Sequence, residues 1–362
     1  MHSFKLDKNQ IKQRSPLKSI EEAFTDDDSI NLDSIEFSTY LDNLLEKENS
    51  LIEKIQGSFE SQSYDVPIFQ LSDLEVDENT KIKYGSTSTV QKAFILNQNL
   101  PVAVKKYKLK NTESFKNEIK ILKKISHENV LRLIGVMNDQ NDSIITDWCS
   151  GPNLYEFLNS KHEDCYDKSN MFELMDIAYQ ISNAMDYLHS LRILHRDLKS
   201  KNVFLTESKN SENGLAHWQV KIGDFNLAIC LDDANVQKIQ TRCEGSYYWM
   251  APEIINKKYN DQVINNPYTF KSDVYSFGII MYELITGNLP FKDLDPMVMV
   301  LKVGRRSLKL DPRPIPNTPK GAVEIVKICT DSNRDIRPDF KDIKSQLFLI
   351  KNESSRNPLK KI

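Results

Sequence analysis

The stretch His195-Arg196-Asp197-Leu198-Lys199-Ser200-Lys201-Asn202, then Asp224-Phe225-Asn226, then Ala251-Pro252-Glu253, carries charged and oxygen-bearing side chains in an order suited to one reaction. In-line phosphoryl transfer needs a group that orients the attacking hydroxyl, cations on the phosphates, and oxygen ligands for magnesium. Asp197 suits the hydroxyl, and Lys199 suits the charge on the moving phosphoryl group. Asn202 and Asp224 supply the carbonyl and carboxylate oxygens that magnesium prefers. Upstream, Val102-Ala103-Val104-Lys105 sets a lysine on an apolar strand, with Glu118 on the next helix as its partner. Taken singly, the lysine reads as a solvated strand residue and His-Arg-Asp as a chance triplet. Their shared order along strand, helix and loop makes them one site.

The elements that must position these residues show in the periodicity. Residues 74–76, 82–85, 89–94 and 101–107 read as short antiparallel strands. Residues 112–125 have a helical period, with Phe115, Ile119, Leu122 and Ile125 on one face and Glu118 beside it. Strands at 130–136 and 143–147 follow, then helices at 154–159, 171–191, 273–286, 295–303, 321–330 and 340–351. Strands followed by helices give an α+β fold of two lobes, a smaller mostly β lobe and a larger mostly α lobe, with a cleft between them.

Residues 1–33 are polar and poor in aromatics, which predicts a disordered tail. Residues 34–65 form an amphipathic extension, with Leu41, Leu44, Leu45, Leu51, Ile52 and Ile55 at helical spacing. It either docks on the chain's own surface or pairs as a short coiled coil. The main domain is expected at 70–351, with lobes at 70–148 and 149–351 and a tail at 352–362.

A net charge of -3 and a pI near 6.1 give no basic field for nucleic acid or an anionic membrane. The five cysteines are scattered without metal-ligand spacing, so neither a disulfide framework nor a zinc site is indicated. The longest apolar run, 278–285, is broken by Tyr282 and Glu283 and is too short to span a bilayer. A cytoplasmic protein without a membrane span is expected.

From about Leu71 to Lys351 the sequence resembles a eukaryotic protein kinase domain of the tyrosine-kinase-like group, nearest the RAF family. The residues carrying this are 114–118, 145–149, 195–205, 266–268 with 271–275, and 303–305; Tyr64-Asp65-Val66-Pro67 is similar to the entry of a RAF catalytic domain. The resemblance implies a bilobal kinase fold, ATP and Mg2+ as cofactors, and a protein substrate. It places Lys105, Glu118, Asp197 and Lys199 in catalysis and Asn202 and Asp224 on the metal. Adenine is expected between Val90 and Ala103 above and Phe204 below, with Thr146 as gatekeeper and Trp148 and Cys149 at the hinge. Leu122, Leu133, His195 and Phe225 match a hydrophobic spine, although core packing explains Leu122 and Leu133 equally well. Asp273 is implied as the anchor of the catalytic loop, and Glu253 as the partner of Arg337. A hydrogen bond between Lys199 and the Ser246 hydroxyl is the pattern of a Ser/Thr kinase, with dual specificity left open.

The departures are specific. Of the glycine-rich nucleotide loop only Gly85 remains, Lys83 and Ser88 standing where the pattern has glycine, which predicts weaker ATP binding. Asn226 stands in place of a glycine, as a residue that tolerates positive φ. Thr241 is either a site for an upstream kinase, its phosphate pairing with Arg196, or a plain loop residue. Lys123-Lys124-Ile125-Ser126 lacks an arginine of the RAF dimer contact, so dimerisation stays open. Residues 207–218 read as a polar insertion. The leading expectation is an active protein Ser/Thr kinase in signal transduction. The alternatives are a pseudokinase scaffold, raised by the lost glycines and Asn226, a dual-specificity kinase, and a lipid or small-molecule kinase, which the full Ala251-Pro252-Glu253 segment disfavours.

Overall fold

The computed structural model describes residues 66–85, 87–109, 112–138, 142–160, 170–207, 218–232, 246–259, 268–308 and 310–356. The expectations for residues 1–65, Ser86, 208–217, Thr241, Asn266, Pro267 and 357–362 lie outside the described residues.

Alternation of apolar and polar side chains builds the first lobe from β1 (Leu74–Val76), β2 (Lys83–Tyr84), β3 (Ser88–Ile95), β4 (Leu100–Tyr107), β5 (Leu133–Asn138) and β6 (Asp142–Asp147). They form one antiparallel sheet in the order β1-β3-β4-β6-β5, with β2 also on β3. Because strand side chains alternate between faces, Val102 and Val104 point into a small core with Leu74, Ala93, Ile95, Met137 and Ile145. Ala103, Lys105 and Tyr107 therefore share the other face. That face meets α1 (Glu113–Leu122), whose first turn is capped by Thr112 Oγ1, which accepts from the Phe115 N–H at 3.2 Å.

The outer edge of β5 is covered by the chain's own entry segment. Phe69 N–H donates to Val136 O and Val136 N–H donates to Pro67 O, both at 2.9 Å. A side chain at Gly135 would put its Cβ 2.4 Å from the Phe69 ring and 2.7 Å from Pro67 O, so only glycine lets the two backbones approach.

The second lobe contains α2 (Leu154–Asn159), α3 (Asn170–Ser190), β7 (Ile193–Leu194), β8 (Val203–Glu207), β9 (Trp218–Ile222), β10 (Ile229–Cys230), α4 (Pro252–Tyr259), α5 (Phe270–Thr286), α6 (Pro296–Gly304), α7 (Lys320–Cys329) and α8 (Phe340–Arg356). The apolar stripe of α3, from Leu174 through Ile177, Ile181 and Met185 to Leu188, is buried. Over it lies α8, joined to α3 by Lys344–Asp186 and Lys351–Asp176 contacts of 2.6 Å. One buried cluster runs through both lobes, including Tyr107, Leu122 and Ile144 from the first and Ile193, Leu198 and Phe225 from the second.

Several boundaries differ from the sequence expectation. Helix α1 ends at Leu122, and β5 starts at Leu133. The intervening Val130 and Leu131 pair with Ile222 instead, the Leu131 N–H donating to Ile222 O at 2.8 Å. Strands β8 and β9 pair as far as Glu207↔Trp218, which narrows the insertion to 208–217. Helix α8 continues to Arg356, past the expected end at 351, and α4 starts at Pro252, where the periodicity gives no signal.

Candidate active site

Lys105 sits on β4, paired with Val90 of β3 and Ile144 of β6, so its backbone is fixed from both sides. Its Nζ lies 2.7 Å from Glu118 Oε2, 3.0 Å from Oε1 and 2.8 Å from Asp224 Oδ1. The Tyr107 hydroxyl, on the same face of β4, donates to Glu118 Oε2. Burial alone would lower the Lys105 pKa, but the Asp224 and Glu118 carboxylates outweigh it and hold the amine well above its ordinary range. Burial likewise would raise Asp224, and Lys105, through charge and a hydrogen bond, holds it below the usual carboxylate range. This is a fixed cation between two anions.

The segment carrying Asp224 is tied to α1 at a second point. The Asn117 amide donates to Ala228 O at 2.7 Å and to Asn226 O at 3.3 Å. The left-handed backbone conformation falls at Asp224, with φ 67°, and not at Asn226. This corrects the reason expected for Asn226: it occupies the glycine position at ordinary φ, so its tolerance of positive φ is not used.

Residues 195–202 are held from below by α5. Asp273 Oδ2 accepts from the His195 N–H at 2.9 Å, and Oδ1 accepts from the Arg196 N–H at 3.0 Å. Burial would raise Asp273, but its bond and charge contact with His189, 3.1 Å away, and the His195 contacts hold it low. The His195 ring then bridges two segments, Nδ1 facing the Asp197 N–H at 3.3 Å and Nε2 facing Gly223 O at 3.2 Å. Its centroid is 5.0 Å from that of Phe225. Leu122, His195 and Phe225 are buried, and Leu133 packs on the same core.

Asp197, at the centre of this loop, has its Oδ2 2.6 Å from Lys199 Nζ and 3.2 Å from Asn202 Nδ2. Lys199 Nζ also donates to Ser246 Oγ at 2.9 Å, which joins residues 195–202 to the segment preceding Ala251. The Asn202 amide nitrogen is committed further to Asp197 O at 2.9 Å, so its oxygen is the atom left for another ligand.

The expected adenine residues are distributed over both lobes. Ala103 pairs with Lys92 and with Thr146 in the sheet, both Ala103 and Thr146 being buried. Val90 is half-buried on β3, and Phe204 half-buried on β8, across the lobe boundary. Trp148 and Cys149 follow β6 where the chain passes between lobes; Lys92 Nζ lies 5.8 Å from the Trp148 ring, and burial pushes the Cys149 thiol up to about 12. Gly85 is exposed, its N–H donating to Ser88 O and its carbonyl accepting from Lys108 Nζ, both at 2.8 Å. Arg337 meets Glu253 in two parallel bonds of 2.7 and 2.9 Å. Sequence reasoning missed Tyr107 and Asn117. The first is two residues from Lys105 on one strand face, and the second adjoins Glu118.

The described fold and this arrangement have relatives. Residues 76–347 match the family described as protein tyrosine and serine/threonine kinase. Over 283 residues the chain is 38% identical to the RAF proto-oncogene serine/threonine-protein kinase of Xenopus laevis, a match covering 76% of this chain and 41% of that protein. The chain thus spans less than half the length of this curated relative. With three quarters of its length matched and a bilobal α+β architecture, the chain belongs to the eukaryotic protein kinase family and resembles its RAF members.

Proposed function

We propose that residues 70–351 form an active protein Ser/Thr kinase that transfers the γ-phosphoryl group of Mg-ATP to a protein hydroxyl in cytoplasmic signalling. The observation that carries this is the joint geometry of Lys105 between Glu118 and Asp224 and of Asp197 beside Lys199 and Asn202. All the charges that in-line transfer requires are present.

In this reading Asp197 orients the substrate hydroxyl and accepts its proton. Lys199 balances charge at the transferred group, while Lys105, held by Glu118, contacts the nucleotide phosphates. The donor set fits magnesium, since Asp224 is kept ionised and the Asn202 oxygen is left available by the commitment of its nitrogen. Bound there, the ion would neutralise phosphate charge. Gly85, Val90, Ala103, Thr146, Trp148, Cys149 and Phe204 would enclose the nucleotide. The Lys199–Ser246 bond of 2.9 Å favours a Ser/Thr acceptor. Thr241 is our candidate for control by an upstream kinase.

A second reading, a pseudokinase scaffold, is favoured by the nucleotide loop, where Ser88 is buried as the first residue of β3 in place of a glycine. Incubation with radiolabelled ATP and magnesium separates the two. The kinase reading expects labelling by wild type and its loss in Asp197→Asn; no labelling by either protein, with binding of a partner retained, establishes the scaffold.

A further inference from the structure

Tyr107 is a buried phenol that the proposed chemistry does not use. It lies two residues after Lys105 on the same face of β4 and is 1% exposed. Its ring meets the Phe115 ring of α1 edge-on, with centroids 5.3 Å apart, and Lys105 Nζ lies 5.5 Å from its centroid. Its hydroxyl donates to Glu118 Oε2, the oxygen that also lies 2.7 Å from Lys105 Nζ. A phenylalanine or leucine would fill this space as well. What tyrosine adds is one donor, and that donor is directed at Glu118.

Tyr107 thus grips α1 twice, at Phe115 through the ring and about one turn later at Glu118 through the hydroxyl. Glu118 is itself 3% exposed, so its carboxylate is stabilised in the interior by these two donors from β4. Outward movement of α1 would separate Glu118 from Lys105 and leave the Tyr107 hydroxyl in the core without its acceptor. A buried donor stripped of its acceptor is costly, so the hydroxyl penalises that movement. We propose that Tyr107 is a positioning residue: it latches α1 against the sheet through Glu118, and so keeps Lys105 where the nucleotide phosphates must lie. This rests on the kinase reading above.

Burial pushes the Tyr107 phenol well above its ordinary range, against the charge of Lys105 and with the charge and bond of Glu118 adding to it. The hydroxyl therefore keeps its proton at neutral pH and acts as a donor. Phenylalanine removes that donor and retains the ring, its edge contact with Phe115 and the Lys105–Glu118 pair, so Tyr107→Phe isolates the latch. Its effect falls on the nucleotide side. The acceptor side, Asp197 with Lys199 and Ser246, is held by separate bonds in the second lobe.

The test pairs steady-state kinetics of the full chain, with Mg-ATP and dephosphorylated casein, with amide hydrogen exchange of α1 in the same proteins. Tyr107→Phe is expected to lower kcat/KM for ATP about tenfold, the loss of a hydrogen bond to a charged group, and to leave the KM for casein unchanged. Amides of α1 are expected to exchange about tenfold faster, and those of α3 at the wild-type rate. In Glu118→Gln, adding Tyr107→Phe accelerates α1 by less than the same change does in wild type. An unchanged kcat/KM for ATP, a KM for casein that rises in step, α1 exchange that stays the same or accelerates together with α3, or full acceleration in the Glu118→Gln background overturns the proposal. If Tyr107→Phe does not fold, α1 amides in wild type that exchange as fast as those of exposed loops overturn it. A wild type that transfers no phosphate overturns the kinase reading itself, whereas an active wild type with an indifferent Tyr107→Phe overturns this inference alone.

Discussion

Arg337 and Glu253, 84 residues apart in sequence, meet in the interior of the second lobe as a bidentate pair with N–O distances of 2.7 and 2.9 Å. Arg337 also donates to Asp331 O at 2.8 Å and Lys271 O at 2.9 Å, and its guanidinium lies 5.0 Å from the Tyr275 ring centroid. Its side chain is fully buried, so removing either partner leaves an uncompensated charge in the core. Arg337→Ala should lose about 3–5 kcal/mol of unfolding free energy, by analogy with other broken buried pairs. Chemical denaturation measures this, and a loss no larger than that of a surface substitution would show that the pair holds nothing together.

Asp273 accepts two backbone N–H groups of the loop ahead of Asp197. In Asp273→Asn one amide nitrogen must face a donor, so the loop shifts. The expected outcome is a fall in kcat of at least about tenfold with a stability loss of about 2 kcal/mol. Because the folded-state pKa of Asp273 lies below the ordinary aspartate value, its contribution is present above that value and is lost as pH falls through the folded one. The variant should therefore lose less stability than wild type below about pH 4.

His127 stacks on Tyr187 with centroids 4.8 Å apart, and its Nδ1 accepts from the Asn129 N–H at 3.0 Å. Burial, with Lys344 and Lys221 nearby, lowers its pKa to about 4 from 6.5. The unfolded chain thus takes up this proton first as pH falls. The stabilisation is complete above about pH 6.5 and declines until the folded ring titrates near 4. Denaturation curves between these limits should show a shallower loss for His127→Gln, and identical slopes would assign the acid sensitivity elsewhere.

Ser88 stands at a glycine position of the nucleotide loop, and its carbonyl accepts from the Gly85 N–H at 2.8 Å. A side chain there restricts how closely the backbone can approach phosphates. Calorimetric titration should show tighter Mg-ATP binding by Ser88→Gly, by a few-fold. Equal affinities would mean that the loop reaches the phosphates as it is.

Much of the site was legible because its charges lie in contiguous runs or at strand spacing. Lys105 was placed on its strand by an apolar run, whereas Tyr107, on the same face by the two-residue period, was not singled out. The Asp197–Asn202 contact joins residues of one short loop. Contacts such as Asp273 with His195, or Arg337 with Glu253, depend on how helices pack, and only the family resemblance pointed to them. Glu283 was visible only as a polar break in an apolar run, because its partners, Ser200 and Trp249, come from two loops distant in sequence. At Asn226 residue type misled, since backbone strain at a turn is assigned by the whole loop, and here it falls on Asp224.

The short stretch lying along β5 has a consequence for the behaviour of the molecule in concentrated solution. With Pro67 O and the Phe69 N–H bonded to Val136, part of the outer rim of β5 is already occupied from within the same chain. The opposite rim ends in β1, only three residues long and carrying Glu75. Short, charged or covered margins are how sheets avoid templating foreign strands. Gly135, by admitting the Phe69 ring, is what lets the chain cover its own β5 at this point, and a bulkier residue there is expected to uncover that margin.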